Sequence, residues 1–533
     1  MDRAKTGVKN IYEYVRSSAT ANPEKIAVVD DYGRYTYPHL LAEVQKMAGA
    51  FKSYGIQKGD VVSFQLPNWV ESIIIHQALA MIGAVTNPIV PIYRSHEMKY
   101  ILKQSKTKML LIPNTFRGFD YLEMIRSIHP KLPDLKNVII LDKYNENPSL
   151  EEHFEIGYTN FIEEGVPHEE WESVSTEDPA LLLYTSGTTS LPKGVLHSHL
   201  TLLNECSSII DLYELTDSDV VFMPSPVTHI TGLLFGMEMP FMIQGKVVLQ
   251  DIWDPKRTIQ YLLEEKCTWT MGATPFLKGI TSEISEQEAE EIHLKFFCCG
   301  GADVPPDLVI HATKILKCHV SRAYGSSEFP TLCACGPNEP IEKAAYTDGK
   351  LFKKAQAKVV DKFGQTLPLG EVGELAITGP ELFLGYNREE DNKTAFLEDG
   401  YFLTGDLGVL DREGYIEIKG RIKEIIIRGG ENISVKEVET ILYRHPKILS
   451  VAIVALPDEK MGERGCACVV LKEGVQTLDL AEMNRFLVES GISKQKLPEQ
   501  LEIMEELPTT ASGKIQKFVL KENLLKKVTE ESK

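Results

Sequence analysis

The chain has 533 residues, too many for a single hydrophobic core, so at least two domains are expected. Apolar (43%) and charged (25%) fractions are those of a water-soluble globular protein, and a formal net charge of −19 argues against a surface that coats nucleic acid. The most apolar region, Ile73 to Ile92, is broken by His76, Asn87, Pro88 and Pro91, so no membrane span is expected there. It reads instead as a buried helix and a following strand. Met1-Asp2-Arg3-Ala4-Lys5 leads into no hydrophobic stretch of the signal-peptide kind, and Glu531-Ser532-Lys533 matches no targeting signal, so a cytoplasmic location is expected.

In chain order, apolar β-rich runs alternate with helical patterns through residues 1–330. Ile26-Ala27-Val28-Val29 precedes a helical stretch over Tyr37–Tyr54. Val61-Val62-Ser63-Phe64 precedes Val70–Ile82, and Met109-Leu110-Leu111-Ile112 precedes Tyr121–Ile128. This rhythm predicts α/β layering. Residues 345–420 differ: short strands such as Glu374–Ile377 and Tyr415–Ile418, separated by Gly and Pro, predict a small β-rich subdomain. A second α/β rhythm starts near 423, with a helix over Val435–Tyr443 and a strand over Ser450–Ala455. The expected organisation is a large N-terminal domain over 1–422, built from two α/β subdomains and the β-rich one. A small, mobile α/β C-terminal domain follows over 423–533. The Lys/Glu-rich tail from Lys521 reads as a helix end and solvent-exposed residues.

Nine cysteines is an odd count. Cys298-Cys299 are adjacent, while Cys333/Cys335 and Cys466/Cys468 are spaced by two, which places each pair on one face of a strand. None has zinc-type spacing, so buried free thiols are expected.

The most informative stretch is Tyr184-Thr185-Ser186-Gly187-Thr188-Thr189-Ser190-Leu191-Pro192-Lys193-Gly194-Val195. It follows the short apolar run Ala180–Leu183, so a loop dense in small donors leaves the edge of a sheet. Such a loop can wrap a polyphosphate with N–H groups and hydroxyls, and Lys193 can add charge. It is not a Walker loop, because no Gly-Lys-Ser/Thr closes it. Five weaker clusters follow. Gly300-Gly301-Ala302 suits a tight strand-to-helix turn after Phe296-Phe297. Ala323-Tyr324-Gly325-Ser326-Ser327-Glu328 offers an aromatic face, hydroxyls and a carboxylate. Thr404-Gly405-Asp406 and Gly420-Arg421 come next, and Pro508-Thr509-Thr510-Ala511-Ser512-Gly513-Lys514 places a lysine on a loop. Taken singly, each has an ordinary rival: Asp406 as a turn aspartate, Arg421 as an ion-pair partner, Lys514 and Glu328 as surface charges.

Together, in this order and spacing over nearly the whole chain, these motifs resemble the acyl-adenylate-forming superfamily: acyl-CoA synthetases, adenylation domains of peptide synthetases and beetle luciferases. Gly429-Gly430-Glu431-Asn432-Ile433 and Lys496-Leu497-Pro498-Glu499 look most like medium-chain and cyclic-acid CoA ligases, and Pro88–Arg94 like cyclohexanecarboxylate-CoA ligases. The resemblance implies a reaction in two steps. A carboxylate attacks the α-phosphorus of ATP and pyrophosphate leaves; coenzyme A then attacks the acyl-AMP and releases AMP.

By the same resemblance, Thr185, Ser186, Gly187, Thr188, Thr189, Ser190 and Lys193 hold the β- and γ-phosphates. Tyr324 lies against the adenine, Ser327 reaches the α-phosphate and Glu328 holds Mg²⁺, while Gly300, Gly301, Ala302, Ala323, Gly325 and Ser326 also belong to the nucleotide-binding set. Asp406 and Arg421 take the ribose. Lys514 bridges the α-phosphate and the substrate carboxylate. Lys423 is the hinge about which the C-terminal domain turns, bringing Gly429 and Gly430 to the pantetheine channel. Four positions depart from the family pattern: Ser190 stands where glycine is usual, Ser327 where threonine is commoner, Val435 where proline is common, and Ile427 where luciferases carry lysine.

Pro224–Gly232 matches the region bordering the substrate carboxylate, with His229 at the gate and Ile230, Gly232, Phe235 and Met237 along the acyl pocket. Amino-acid-activating relatives hold an aspartate where Ile230 stands. Isoleucine would strand an ammonium there, which predicts an apolar acid, medium-chain, branched or alicyclic. The expected protein is a magnesium-dependent acid–CoA ligase of fatty acid metabolism, monomeric or homodimeric. Two alternatives share the motifs: a stand-alone enzyme loading a carrier-protein phosphopantetheine, and a catalytically silent nucleotide-binding protein.

Overall fold

A computed structural model describes residues 10–144, 149–167, 173–185, 192–428, 431–458, 460–510 and 513–531. Two large sheets carry the first four-fifths of the chain. The 8-stranded sheet runs, in spatial order, through Gly385–Tyr386, Lys193–Ser198, Pro179–Thr185, Val85–Pro88, Val61–Phe64, Met109–Pro113, Asn137–Leu141 and Glu155–Gly157. From Pro179–Thr185 onward its neighbours are parallel. Met109–Pro113 is buried at every residue, which is why it reads as an unbroken apolar run.

The 13-stranded sheet starts at the Ile26–Thr36 hairpin, continues through parallel strands between Val220 and Tyr324, and ends in antiparallel strands up to Arg421. Helix Val70–Ile82 is buried on every residue and contacts strands of both sheets. Its lack of a polar face follows from being covered on all sides. The ranges expected for Val61–Phe64, Val70–Ile82 and Tyr121–Ile128 coincide with the observed elements.

Residues 345–420 form short antiparallel strands, as composition suggests, but not a sheet of their own. Cys333–Ala334 pairs with His319–Tyr324 and then with Gly349–Leu351, which passes the ladder on to Tyr415–Arg421. One continuous ladder therefore links the parallel core to the strands that carry Asp406 and Arg421.

The last sheet has five strands within Ile426–Ile503. Its edge strand Ile448–Asp458, paired along its length with Gly462–Leu471, alternates: Val451 and Ile453 pack under helices Val435–Leu442 and Leu480–Glu489, while Ala452 and Val454 face helix Lys517–Glu531. Cys466 and Cys468 share that second face, as their spacing predicts. All nine cysteines are free and buried. The Lys/Glu-rich tail is the body of the helix Lys517–Glu531, not only its end. Two ion pairs tie this region to the N-terminal portion: Lys436 to Asp303 at 3.4 Å and Arg444 to Asp307 at 2.8 Å. Among the described residues, no helix is long and apolar enough to cross a membrane.

Candidate active site

The donor-rich stretch connects two strands of a hairpin. Pro179–Thr185 and Lys193–Ser198 pair antiparallel with Thr185 opposite Lys193, and Pro179–Thr185 also pairs with Val85–Pro88 on its other side. The loop thus leaves an interior strand of the sheet and not its edge. Ser186, Gly187, Thr188, Thr189 and Ser190 lie outside the described residues, as do Gly429 and Gly430. The two ends of the loop are described. Thr185 Oγ1 donates to the Lys193 carbonyl at 3.5 Å. Lys193 Nζ sits 4.0 Å from Asp391 Oδ1 and 4.4 Å from the centroid of the Tyr386 ring.

Tyr386 was not legible as a site residue in the sequence. Its hydroxyl donates to Glu328 Oε1 at 2.7 Å, and burial together with the Glu328 charge raises its pKa far above the usual phenol value. Lys193 and Glu328, 135 positions apart in the chain, are thereby joined through one side chain. Glu328 closes a tight turn. Ser326 N–H donates to the Phe329 carbonyl at 2.9 Å, and Ser326 Oγ accepts from the N–H groups of Glu328 and Phe329 at 3.2 and 3.3 Å. Gly325 is required there, since a Cβ would fall 1.9 Å from the Pro330 carbonyl oxygen. A Cβ on Gly300 would likewise lie 2.8 Å from the Ala323 carbonyl oxygen, so the two glycine segments abut.

Gly301 has φ +78° with open space around it, and Ala302 packs into the neighbouring core. The turn they begin is longer than expected, because helix Pro306–Leu316 starts only at the Pro305-Pro306 pair. Proline lacks the N–H an earlier turn of helix would need and is favoured at the first helical position.

His197 is a second residue that sequence reading missed. It is fully buried, its Nε2 lies 2.8 Å from the Ser327 carbonyl oxygen, and its Nδ1 lies 2.9 Å from Thr201 Oγ1. Burial lowers its pKa to about 4, so the ring is neutral and Nε2–H donates to Ser327. The available signal was its position: a polar residue on a strand directly following the donor-rich loop.

The second half of the site gathers around Asp406. In the ladder Asp406 stands opposite Arg421. Arg421 Nε reaches Asp406 Oδ1 at 2.9 Å, and the Tyr324 hydroxyl donates to Asp406 Oδ2 at 2.6 Å. The Asp406 N–H donates to Thr404 Oγ1 at 3.1 Å, which seats the Thr404-Gly405-Asp406 turn. Burial works against the charge on Arg421, but Asp406 and Glu424 outweigh it and hold the guanidinium above its usual value. Lys423 follows within the short 3-10 turn Ile422–Glu424.

Lys514 arrives here from the far end of the chain. Thr510 N–H donates to the Lys514 carbonyl at 2.7 Å, and Lys514 N–H donates to Thr510 Oγ1 at 3.1 Å, closing a small hairpin-like turn. Gly513 at its tip has φ +81°, and a Cβ there would lie 2.8 Å from Pro275 Cγ. The turn therefore packs directly on the N-terminal portion. Burial and the Arg421 guanidinium lower the Lys514 pKa to about 8, against the opposing pull of Glu424 and Asp406.

His229 feels the Lys514 charge, and burial with that charge lowers its pKa to about 4. Its Nδ1 accepts from the Thr231 N–H at 3.3 Å, so the neutral ring carries its proton on Nε2. After it the backbone makes one short helical turn and then a π-helical segment, Leu233–Glu238, a geometry frequent at functional sites. Ile230, Phe235 and Met237 are buried, and Phe235 meets Trp269 edge-on at 5.5 Å. Gly232 allows the close fold-back, since a Cβ would lie 2.0 Å from the Pro226 carbonyl oxygen.

A lysine, a guanidinium–carboxylate pair, a neutral histidine and a tethered carboxylate thus converge from five chain segments. Residues 15–387 match the AMP-binding enzyme family and residues 437–514 match the AMP-binding enzyme C-terminal domain. The chain is 36% identical to the medium-chain fatty-acid–CoA ligase of Escherichia coli (strain K12), over 98% of this chain and 92% of that protein. It is 30% identical to the human mitochondrial medium-chain acyl-CoA ligase ACSF2, over 97% and 88% respectively. The ATP-bound crystal structure of MatB from Rhodopseudomonas palustris superposes with a TM-score of 0.85 at 26% identity, covering 96% of this chain and 99% of that one. The chain belongs to the AMP-binding enzyme family. Within it, the protein is an AMP-forming acyl-CoA synthetase, an enzyme that joins a carboxylic acid to coenzyme A at the expense of ATP.

Proposed function

We propose that the acid is apolar and of medium length or alicyclic, and that the residues gathered above perform its adenylation. Both reactants of the first step are anions, so the barrier is largely repulsion and charge build-up, which fixed cations and donors relieve. The observation that carries this reading is the placement of Lys514. It stands among Arg421, Asp406 and His229, although 93, 108 and 285 positions of chain separate it from them. In this arrangement Lys514 supplies positive charge where the carboxylate meets the α-phosphate. Asp406 and Arg421 orient the ribose, Tyr324 covers the base, and His229 borders the carboxylate.

Glu328 suits Mg²⁺: one of its oxygens is taken by Tyr386, and Oε2 meets no protein donor among the described residues. One carboxylate oxygen beside substrate phosphates is the coordination that this hard cation accepts. When bound, the cation would neutralise phosphate charge. Lys193 and the residues 185–190 would flank the same phosphates.

The unit 423–533 acts as a mobile lid with Lys423 as its hinge. The proximity of Lys514 to Arg421 and Asp406 supports an arrangement suited to adenylation; in this reading thioester formation requires Lys514 to leave. Ile230 supports an apolar acid, because its buried side chain has no partner to offer an ammonium. The relatives named above are medium-chain ligases, which agrees with that choice. The free state of all nine cysteines supports a reducing, cytoplasmic location. A monomer or homodimer is the assembly to test by light scattering.

The deciding experiment is kcat/KM for CoA ligation across acetate, hexanoate, cyclohexanecarboxylate, benzoate and leucine. Hexanoate or cyclohexanecarboxylate should lead, each missing methylene forfeiting about 0.8 kcal/mol. Acetate ranking first would overturn the apolar pocket, and leucine ranking first would overturn the exclusion of amino acids.

A further inference from the structure

Tyr386 lies outside every motif that pointed to the site, yet it touches two of its charged members. It sits on the two-residue strand Gly385–Tyr386, paired antiparallel to Lys193–Ser198 with Tyr386 opposite Val195. Its backbone is clamped on both sides by one side chain: Tyr386 N–H donates to Asn392 Oδ1 at 2.8 Å, and Asn392 Nδ2 donates to the Tyr386 carbonyl at 2.9 Å. Its ring meets Phe383 at 5.0 Å and Phe402 at 6.4 Å, both edge-on. Phe383 N–H in turn donates to the Glu328 carbonyl at 2.9 Å. The main chain and the side chain of Glu328 are therefore both anchored by the same strand-end segment.

We propose that Tyr386 is a positioning residue for the phosphate end of the site, its hydroxyl fixing the Glu328 carboxylate for the cation while its ring face holds the Lys193 ammonium. The inference rests on the reading of Glu328 as the Mg²⁺ ligand. A carboxylate with one oxygen hydrogen-bonded cannot rotate freely, so its other oxygen points in a fixed direction. Partners of this kind around a metal ligand tune metal affinity by about tenfold or more when removed. The ring adds attraction for the lysine charge over its face. One side chain then sets the distance between the two positive groups that approach the same phosphates.

The test is equilibrium binding of α,β-methylene-ATP to the full chain by calorimetry, in EDTA and over a Mg²⁺ titration. It compares wild type with Tyr386→Phe, Tyr386→Leu and Glu328→Gln. Tyr386→Phe keeps the ring and its packing. It should leave binding in EDTA unchanged and raise the Mg²⁺ concentration at half-effect by about tenfold. Tyr386→Leu should also weaken binding in EDTA, because Lys193 loses its support. A structural role alone would move affinity equally with and without the metal. If Glu328→Gln shifts the Mg²⁺ midpoint and Tyr386→Phe does not, the positioning role is overturned while the ligand reading stands. If Glu328→Gln leaves the midpoint at the wild-type value, the reading of Glu328 itself fails.

Discussion

Removing the Lys514 ammonium should cost the first half-reaction and spare the second. In the free enzyme its pKa is lowered to about 8 by burial and by Arg421. At pH 7 the group is then about ten-to-one charged, and at pH 9 about one-to-ten. The charged form is the active one, so activity is present below about pH 8 and is lost as pH rises through that value. Because kcat/KM reports the free enzyme, its adenylation limb should fall about tenfold per unit above pH 8, while kcat, measured with the polyanion bound, should hold to higher pH. Lys514→Ala should lower adenylation by about 10²- to 10³-fold, the usual cost of one preorganised donor at developing charge, and should abolish the alkaline limb. The assays are acid-dependent ATP–pyrophosphate exchange across the pH range and, separately, thioester formation from preformed acyl-AMP. Equal loss in both half-reactions would refute the reasoning, as would a wild-type profile flat to pH 9.

Three further outcomes follow from the same geometry. Gly513→Ala forces a side chain into a positive-φ position and against Pro275, a strain of about 1–2 kcal/mol, so pyrophosphate exchange should drop about tenfold with thioester formation from acyl-AMP unaffected; equal rates in exchange would discount the docking of that turn. Lys423→Pro, which fixes φ near −65°, should leave exchange measurable and block CoA ligation, and wild-type ligation would show that the hinge lies elsewhere. Ile230→Asp buries an unpaired charge at a cost of several kcal/mol, so kcat/KM for hexanoate should fall about a thousandfold, and near-normal turnover would place Ile230 away from the acid.

Much was legible in the chain alone, and for a local reason. Strand Val61–Phe64 and helix Val70–Ile82 announce themselves by apolar runs of the right length, because the helix is buried at every residue and the strand at all but Val61, so neither needs a partner-specific pattern. The paired cysteines at 466 and 468 follow from the two-residue period of a strand. Motif order was equally readable, since Gly325 and Asp406 stand where backbone approach and turn chemistry narrowly limit the residue.

What only the tertiary structure decided is the set of contacts between distant segments. Tyr386 and His197 look ordinary in sequence, because nothing in their neighbourhood encodes Glu328 or the Ser327 carbonyl. The joining of residues 345–420 to the larger sheet depends on one two-residue strand, Cys333–Ala334, too short to carry a periodic signal. Lys514 is a loop lysine until the fold sets it beside Arg421, where lost solvent and a like charge bring its pKa down to about 8. Side-chain identity and local pattern are written along the chain, whereas burial and charge proximity are properties of the space that folding encloses.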